Sequence, residues 1–279
     1  MKSILKKIII SVVNNDILWV VVKPFARFGF FAVHNRKESS VIVDHDDLAS
    51  SIFKKKEVLH GPFQGMRYPS LLSAGSSLYP KLLGSYEREL NGIINNFLLK
   101  EYTAILDIGC AEGYYAIGFA LKSQVEKIYA YDTDKDARDL CHQMAKLNKV
   151  ENRIILKKEC TAAELENFTF SGKTLIICDC EGYEQYLFNE TNVKNLKNCD
   201  LLIETHDFVN INISGNLIGL LEKTHNIQLI KSVDDIEKAK TYSYPETAGL
   251  SLEEKLKLYA EYRPVIMEWL VCTPRLIEN

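Results

Sequence analysis

The most informative segment of this chain reads Ile105-Leu-Asp-Ile-Gly-Cys-Ala-Glu-Gly-Tyr-Tyr-Ala-Ile-Gly-Phe-Ala120. An apolar strand runs into a turn that contains Gly109 and Gly113, and an apolar helix begins at once. Glycine permits a sharp backbone turn and the close approach of a ligand or a neighbouring strand. The turn should present backbone N–H groups at the helix N-terminus, which suits a carboxylate or a phosphate. The segment therefore predicts a ligand-binding strand–turn–helix unit.

Short apolar strands alternate with helical stretches from this segment onwards. The predicted strands are Ala104–Ile108, Lys127–Tyr131, Arg153–Lys157, Thr174–Cys178, Leu201–Ile203 and Gln228–Ile230. Such alternation predicts βαβ units and hence a parallel sheet. Val265–Thr273 is predicted as a last strand, reached through a helix from about Leu252 to Tyr262, and the sequence leaves its direction open.

An acidic residue stands at the end of each of the first five strands: Asp107, Asp132, Glu159, Asp179 and Glu204. The carboxyl edge of an open α/β sheet is where ligands bind. We therefore expect the functional site at this edge.

The turn departs from a dinucleotide-binding fingerprint. In G-x-G-x-x-G counted from Gly109, the second and third glycine positions hold Ala111 and Tyr114. Asp107 and Glu112 also oppose a pyrophosphate by charge, and suit a ligand with an ammonium and a sulfonium. Asp132 is placed to accept the hydroxyls of a ribose. An NAD-dependent oxidoreductase is therefore disfavoured.

Two motifs resemble known families. Asp107-Ile-Gly-Cys-Ala-Glu-Gly113, with Asp132 at the next strand end, resembles motif I and the ribose acid of class I S-adenosylmethionine-dependent methyltransferases. Asp179-Cys-Glu-Gly-Tyr-Glu184 and Glu204-Thr-His206 are similar to the D-x-E-G-x-E and E-x-H segments of FkbM-type methyltransferases. The resemblance covers about Thr103 to Thr273. It implies an α/β, Rossmann-like fold with a mostly parallel seven-stranded sheet, helices on both faces and an N-terminal extension.

The resemblance also implies how the cofactor S-adenosylmethionine is bound. Four residues would line its methionine end: Asp107, Gly109, Cys110 and Gly113. Asp132 would hold the ribose, Glu159 and Cys160 would lie beside the adenine, and Asp179 would sit near the transferred methyl group. Ala111, Tyr114 and Thr133 are further candidate contacts with the cofactor.

A polar cluster is predicted beside the methyl group. Asp179 and Glu181 share strand parity, as do Glu204 and His206, so these four side chains should converge if the two strands are adjacent. His206 is the most natural catalytic base because its ordinary pKa lies near neutrality, and Asp179 or Glu204 would orient it or accept the proton. The same four residues would suit a divalent cation, a reading we do not favour. Glu184 fits the start of the following helix.

Residues 1–100 carry no motif and are predicted as a helical or irregular extension that caps the site or mediates assembly, followed by the methyltransferase domain over residues 101–279. Gly61–Gly84 has loop composition, and a helix is expected from Ser85 to Leu99. Tyr79, Tyr86 and Glu87 are candidate substrate contacts. No stretch is apolar for the roughly 20 residues of a membrane span. Peripheral membrane contact by residues 1–31 is compatible with their lysines and Trp19.

Composition limits the classes of protein and partner. The 279 residues are 47% hydrophobic and 25% charged, with a net charge of −3, as in ordinary globular proteins. Without a basic excess, no nucleic-acid partner is expected. Seven scattered cysteines favour a reduced, cytoplasmic protein. The FkbM-type resemblance implies methyl transfer to an oxygen of a small molecule or saccharide, although the chemistry of the site would also admit nitrogen. The sequence leaves the oligomeric state open, a homo-oligomer included. The alternatives are a non-catalytic nucleotide-binding subunit and, less favoured, the oxidoreductase.

Overall fold

The computed structural model describes residues 41–43 and 47–275. A seven-stranded sheet forms from β3 (Ala104–Ile108), β4 (Ile128–Tyr131), β5 (Ile154–Lys157), β6 (Thr174–Cys178), β7 (Asp200–Thr205), β8 (His225–Lys231) and β9 (Glu268–Pro274). The strand order is β5-β4-β3-β6-β7-β9-β8, and β9 runs antiparallel to both of its neighbours. The Rossmann-like methyltransferase fold predicted from the sequence is confirmed. A separate antiparallel pair joins β1 (Val41–Val43) to β2 (Leu72–Ala74).

The described helices follow the predicted alternation after residue 100. They are α1 (Asp47–Ile52), α2 (Leu78–Leu83), α3 (Asn91–Leu98), α4 (Tyr114–Lys122), α5 (Lys135–Leu147), α6 (Ala162–Asn167), α7 (Glu184–Leu187), α8 (Ile213–Leu221), α9 (Asp235–Thr241) and α10 (Leu252–Tyr259). Local signals fix several boundaries: the Asp134 side chain caps α5, and a capping box of Ser251 and Glu254 starts α10. Among the described residues, no helix is long and apolar enough to cross a membrane.

The sheet has a hydrophobic core on each face. Alternate residues of β3 belong to opposite cores: Ile105 lies in the core that contains Ile117 and Phe119 of α4, and Leu106 lies in the core that contains Leu217 of α8. Two-sided burial explains why these strands read as continuous apolar runs. The helices therefore cover both faces of the sheet.

Residues 47–100 pack onto one of these faces. Phe63 and Leu82 belong to the same core as Phe119, and the Phe63 ring covers Gly118, where an added Cβ would come within 2.5 Å of it. Two local predictions were wrong here. The segment predicted as a loop contains β2 and α2, and the helix expected from Ser85 begins only at Asn91, after a short 3-10 turn at Arg88–Leu90. The predicted capping or assembly role of residues 1–100 stays a prediction, and residues 1–31 lie outside the described residues.

The strand order reverses between β3 and β6. Chain connections leave this point in opposite directions, β3 to β4 on one side and β6 to β7 on the other, so a crevice opens at the carboxyl ends of the two strands. The motif turn follows β3 and Asp179 follows β6, so both border this crevice.

Candidate active site

A cavity of about 530 Å³ opens at the carboxyl edge of the sheet. It brings together most residues predicted for the cofactor, and also Glu181, Glu204, His206 and Tyr86. The predicted cofactor residues that line it are Asp107, Gly109, Cys110, Ala111, Tyr114, Asp132, Thr133, Glu159, Cys160 and Asp179. A cavity of this size is typical of a small-molecule site.

Gly109 joins the two halves of the crevice. Its φ of 83° lies in the left-handed region, and an ideal Cβ at this position would stand 1.6 Å from the backbone oxygen of Asp179. The N–H groups of Gly109 and Cys110 both donate to the Tyr131 carbonyl at 2.9 Å. The turn is thus fixed to β4 on one side while it touches the end of β6 on the other.

Asp107 is a buried acid on the cavity wall. It is 2% exposed, and its Oδ2 accepts the N–H of Ala116 at 2.9 Å. Burial raises its pKa to about 7, and the neighbouring Asp179 and Asp132 add to the effect although the Ala116 hydrogen bond opposes it. A cation in the cavity would therefore favour ionisation of this carboxyl group.

The backbone around Asp132 fixes the position of its side chain. Its Oδ2 accepts the N–H of Ala111 and its Oδ1 accepts the N–H of Asp134, both at 2.8 Å. Ala111 has a φ of 48°, so a residue with a side chain occupies the left-handed region in the turn. These contacts fix the carboxylate at the cavity edge with further lone pairs available for hydroxyl groups.

Glu112 does not face the cavity, in contrast to the sequence argument that paired it with Asp107. It is fully buried and forms an ion pair with the buried Lys81. It also accepts hydrogen bonds from Tyr68, Ser73 and the Ala74 N–H. All of these partners lie within residues 68–81. Glu112 therefore links that segment to the motif turn.

His206 stands at the centre of three carboxylates. Its Nε2 lies 3.5 Å from Asp179 Oδ1 and 3.5 Å from Glu181 Oε2, and its Nδ1 lies 2.8 Å from Oε1 of the fully buried Glu184. Burial lowers the pKa of His206, but the paired Glu184 and the charge of Asp179 outweigh burial and raise it above its ordinary value. Burial and Glu181 raise the pKa of Asp179 to about 7.

Glu204 lines the same cavity and forms an ion pair with Arg263. Nη1 of Arg263 donates to Glu204, Nη2 donates to Glu87, and Nε donates to Glu261 at 2.8 Å. The guanidinium also lies over the Trp269 ring, 5.0 Å from its centroid. Burial and the nearby Asp179 hold the pKa of Glu204 well above its usual range despite the arginine. All four predicted residues line the same cavity; Asp179 and Glu181 lie beside His206, and the Glu204 side chain pairs with Arg263.

Three predicted residues do not line the cavity. Gly113 caps the start of α4 behind the turn. Tyr79 is in the core, stacked on Phe53 with ring centroids 5.8 Å apart. Glu87 is buried between Arg263 and the Tyr115 hydroxyl. Of the three candidate substrate contacts, the structure thus brings only Tyr86 to the cavity.

Asp179, Glu181 and His206 also have the donor set of a cation site. One ligand atom from each lies within 4.8 Å of the others. Two carboxylates and one imidazole suit a divalent ion such as Mn²⁺ or Zn²⁺. Glu204, the fourth residue of the predicted metal set, is taken by Arg263.

The family model described as "Ribosomal protein L11 methyltransferase (PrmA)" matches residues 92–178. No curated protein matches the sequence significantly.

Solved structures with similar folds include three named methyltransferases. Precorrin-6y C5,15-methyltransferase from Geobacter metallireducens is 11% identical, with 65% of this chain and 87% of that chain covered and a TM-score of 0.42. An rRNA methylase from Streptococcus thermophilus is 14% identical (66% and 95% covered, TM-score 0.41). Ribosomal protein L11 methylase from Lactobacillus delbrueckii subsp. bulgaricus is 12% identical (69% and 80% covered, TM-score 0.40).

One prediction from composition is wrong. The lack of a basic excess predicts no nucleic-acid partner. The matched family model is named for a ribosomal protein, which points to a macromolecular acceptor and stands against that exclusion. Net charge averages over the whole surface and does not report the charge around one site.

The chemistry of the cavity fits S-adenosylmethionine. Asp107 and Asp179 oppose a pyrophosphate but suit a sulfonium and an ammonium, and Asp132 offers a carboxylate for a ribose. The family match spans the motif turn and the ends of β3, β4 and β6. Over residues 92–178, this chain is similar to a family of methyltransferases.

Proposed function

We propose that the chain transfers the methyl group to an oxygen atom of its acceptor, with His206 as the general base. One observation carries this proposal. His206 lines the cavity, and its Nε2 lies 3.5 Å from Oδ1 of Asp179, the residue proposed to lie near the transferred methyl group. A hydroxyl is a poor nucleophile until its proton is removed, so a base within reach of it assists the displacement. The D-x-E-G-x-E and E-x-H segments support assignment to the FkbM type.

The chain's own residues would divide the work as follows. Asp107, Gly109, Cys110 and the rest of the turn would hold the methionine end, and Asp132 with Thr133 would hold the ribose. Glu159 and Cys160 would flank the adenine, and Asp179 would lie near the methyl group. The bound cofactor supplies an electrophilic sulfonium methyl, while His206 accepts the acceptor's hydroxyl proton at Nε2.

A macromolecular acceptor is a second candidate beside a small molecule or saccharide. The cavity lining includes exposed apolar side chains from the segments that follow β6 and β7: Tyr183 is 37% exposed and Phe208 47%. Exposed apolar patches of this kind mark interaction sites. The ribosomal names of the matched family favour the same reading.

The test is methyl transfer from S-adenosylmethionine labelled in its methyl group. Ribosomes, ribosomal RNA and a small-molecule extract are offered separately, and the labelled product is tested for the base stability of a methyl ether. His206→Gln should lower the rate by about 10² to 10⁴. It should leave the affinity for S-adenosylhomocysteine unchanged. Label on nitrogen, or an unchanged rate in His206→Gln, contradicts the proposal, and loss of activity with a chelator would favour the metal-assisted reaction at Asp179, Glu181 and His206.

A cytoplasmic location is also proposed. All seven cysteines are free, and six of them are buried. Scattered and mostly buried thiols fit a reducing compartment.

A further inference from the structure

Glu184 is the buried partner of His206 on the side away from the cavity. It is fully buried at the start of α7 and is not among the residues that line the cavity. Its Oε1 accepts the N–H groups of Cys180 at 3.1 Å and Gly182 at 3.3 Å, so the loop after β6 fixes the carboxylate. His206 Nδ1 lies 2.8 Å from the same oxygen.

The two ring nitrogens of His206 therefore face different surroundings. Nδ1 meets a buried carboxylate, which accepts hydrogen bonds but cannot donate one while ionised. Nε2 meets the cavity, where Asp179 and Glu181 are each 3.5 Å away, beyond the usual N–H···O range. A neutral imidazole carries one proton, and the carboxylate draws that proton to Nδ1.

The alignment at Nδ1 is incomplete in this conformation. Although the separation is 2.8 Å, neither His206 Nδ1 nor Glu184 Oε2 makes a well-directed hydrogen bond within the described part of the chain. Contacts of this kind commonly tighten when substrate binds. A small rotation of the ring or the carboxylate would direct the N–H at Glu184.

The other two acids considered for orienting His206 are excluded by position. Glu204 is bound by Arg263, and Asp179 approaches Nε2 rather than Nδ1. We propose that Glu184 is a positioning residue that holds His206 through Nδ1 and keeps the lone pair of Nε2 directed into the cavity. The inference rests on the proposed function, which requires a base at Nε2, and its test does not require the acceptor.

The test is ¹⁵N NMR of the histidine side chains in the intact protein, with His206→Gln to assign the signal. At alkaline pH, neutral His206 should carry its proton on Nδ1. In Glu184→Gln the proton should redistribute to Nε2, and the pKa of His206 should fall by about one pH unit or more, because a buried negative charge is lost. Glu184→Asp should restore part of both properties.

Glu181→Gln is the matched control, because it removes one carboxylate from the Nε2 side, where the side chain is 79% exposed. It should lower the pKa of His206 less and leave the proton on Nδ1. A wild-type His206 with its proton on Nε2 overturns the proposal, even if Glu184→Gln does not fold, and so does a Glu184→Gln variant that matches the control. If NMR gives the expected result but His206→Gln methylates normally, only the proposed function fails.

Discussion

The α-carbon of Gly109 faces the backbone oxygen of Asp179 so closely that a Cβ would lie 1.6 Å from it. The obstacle is backbone, which cannot rotate away as a side chain can. The first turn and the end of β6 are thereby held in contact where the strand order reverses.

Gly109→Ala should therefore lower the free energy of unfolding by more than about 2 kcal/mol, because the left-handed φ adds strain to the overlap. Binding of S-adenosylhomocysteine should be lost as well. Denaturant unfolding and calorimetry measure the two effects. Gly219→Ala is the control, since α8 is open around Gly219 and alanine should be neutral or stabilising there. Equal stability of the two variants would show that the contact is absent.

Lys81→Met should destabilise the protein by about 3 kcal/mol, because it leaves the buried charge of Glu112 without a cation. The double variant Lys81→Met/Glu112→Gln should recover part of this loss. Chemical unfolding of the single and double variants measures the coupling between the residues. Lys135→Met breaks an exposed pair with Asp139 on α5 and should leave the stability almost unchanged, because solvent screens the pair. A Lys81 variant as stable as that control would contradict the prediction.

Asp132→Asn should weaken S-adenosylhomocysteine binding by about 10- to 100-fold, since a hydrogen bond to a charged group contributes about 1.5 to 3 kcal/mol. Titration calorimetry measures the affinity. Asp139→Asn, on the exposed surface of α5, makes the same chemical change away from the cavity and should bind normally. Unchanged affinity in Asp132→Asn would remove this residue from the ribose site.

Asp107 should make the stability of the ligand-free protein depend on pH. Its pKa is about 7 in the folded chain against an ordinary 3.8, so between these values the unfolded chain has lost a proton that the folded chain retains. Stability is therefore highest below about pH 4 for this group and falls as the pH rises to about 7.

Asp107→Asn removes the pH dependence that Asp107 contributes to the free energy of unfolding. Relative to wild type it should gain stability between pH 4 and pH 8, by about 4 kcal/mol at most, while it weakens cofactor binding. Denaturant titrations of both proteins at the two pH values provide the measurement. A difference between the proteins that does not change with pH would mean that Asp107 is ionised in the folded state throughout this range.

The strands and the acids at their ends could be predicted because these features are local. Two-sided burial makes each strand an apolar run, and the residue after it reaches the carboxyl edge whatever the tertiary detail. Asp107, Asp132, Asp179 and His206 were found in this way.

The ion pairs could not be predicted from the sequence, because each of them joins segments that only the fold brings together. Glu112 looked like a cavity acid because its partner Lys81 lies in a segment with loop composition. Arg263 follows a helix, far along the chain from Glu87, and no motif marks it. Glu184 stood within a quoted motif, yet its role depends on the fold that brings it behind His206.

The buried ion pair between Lys81 and Glu112 limits which N-terminal segments can be combined with the rest of this protein. A shortened protein that begins at residue 101 would lack Lys81, so the negative charge of Glu112 would have no cation beside it. It would also lack Phe63, whose ring packs on Gly118. If residues 47–100 were replaced by the corresponding segment of another protein, that segment would therefore have to supply both a cation for Glu112 and an apolar side chain over Gly118.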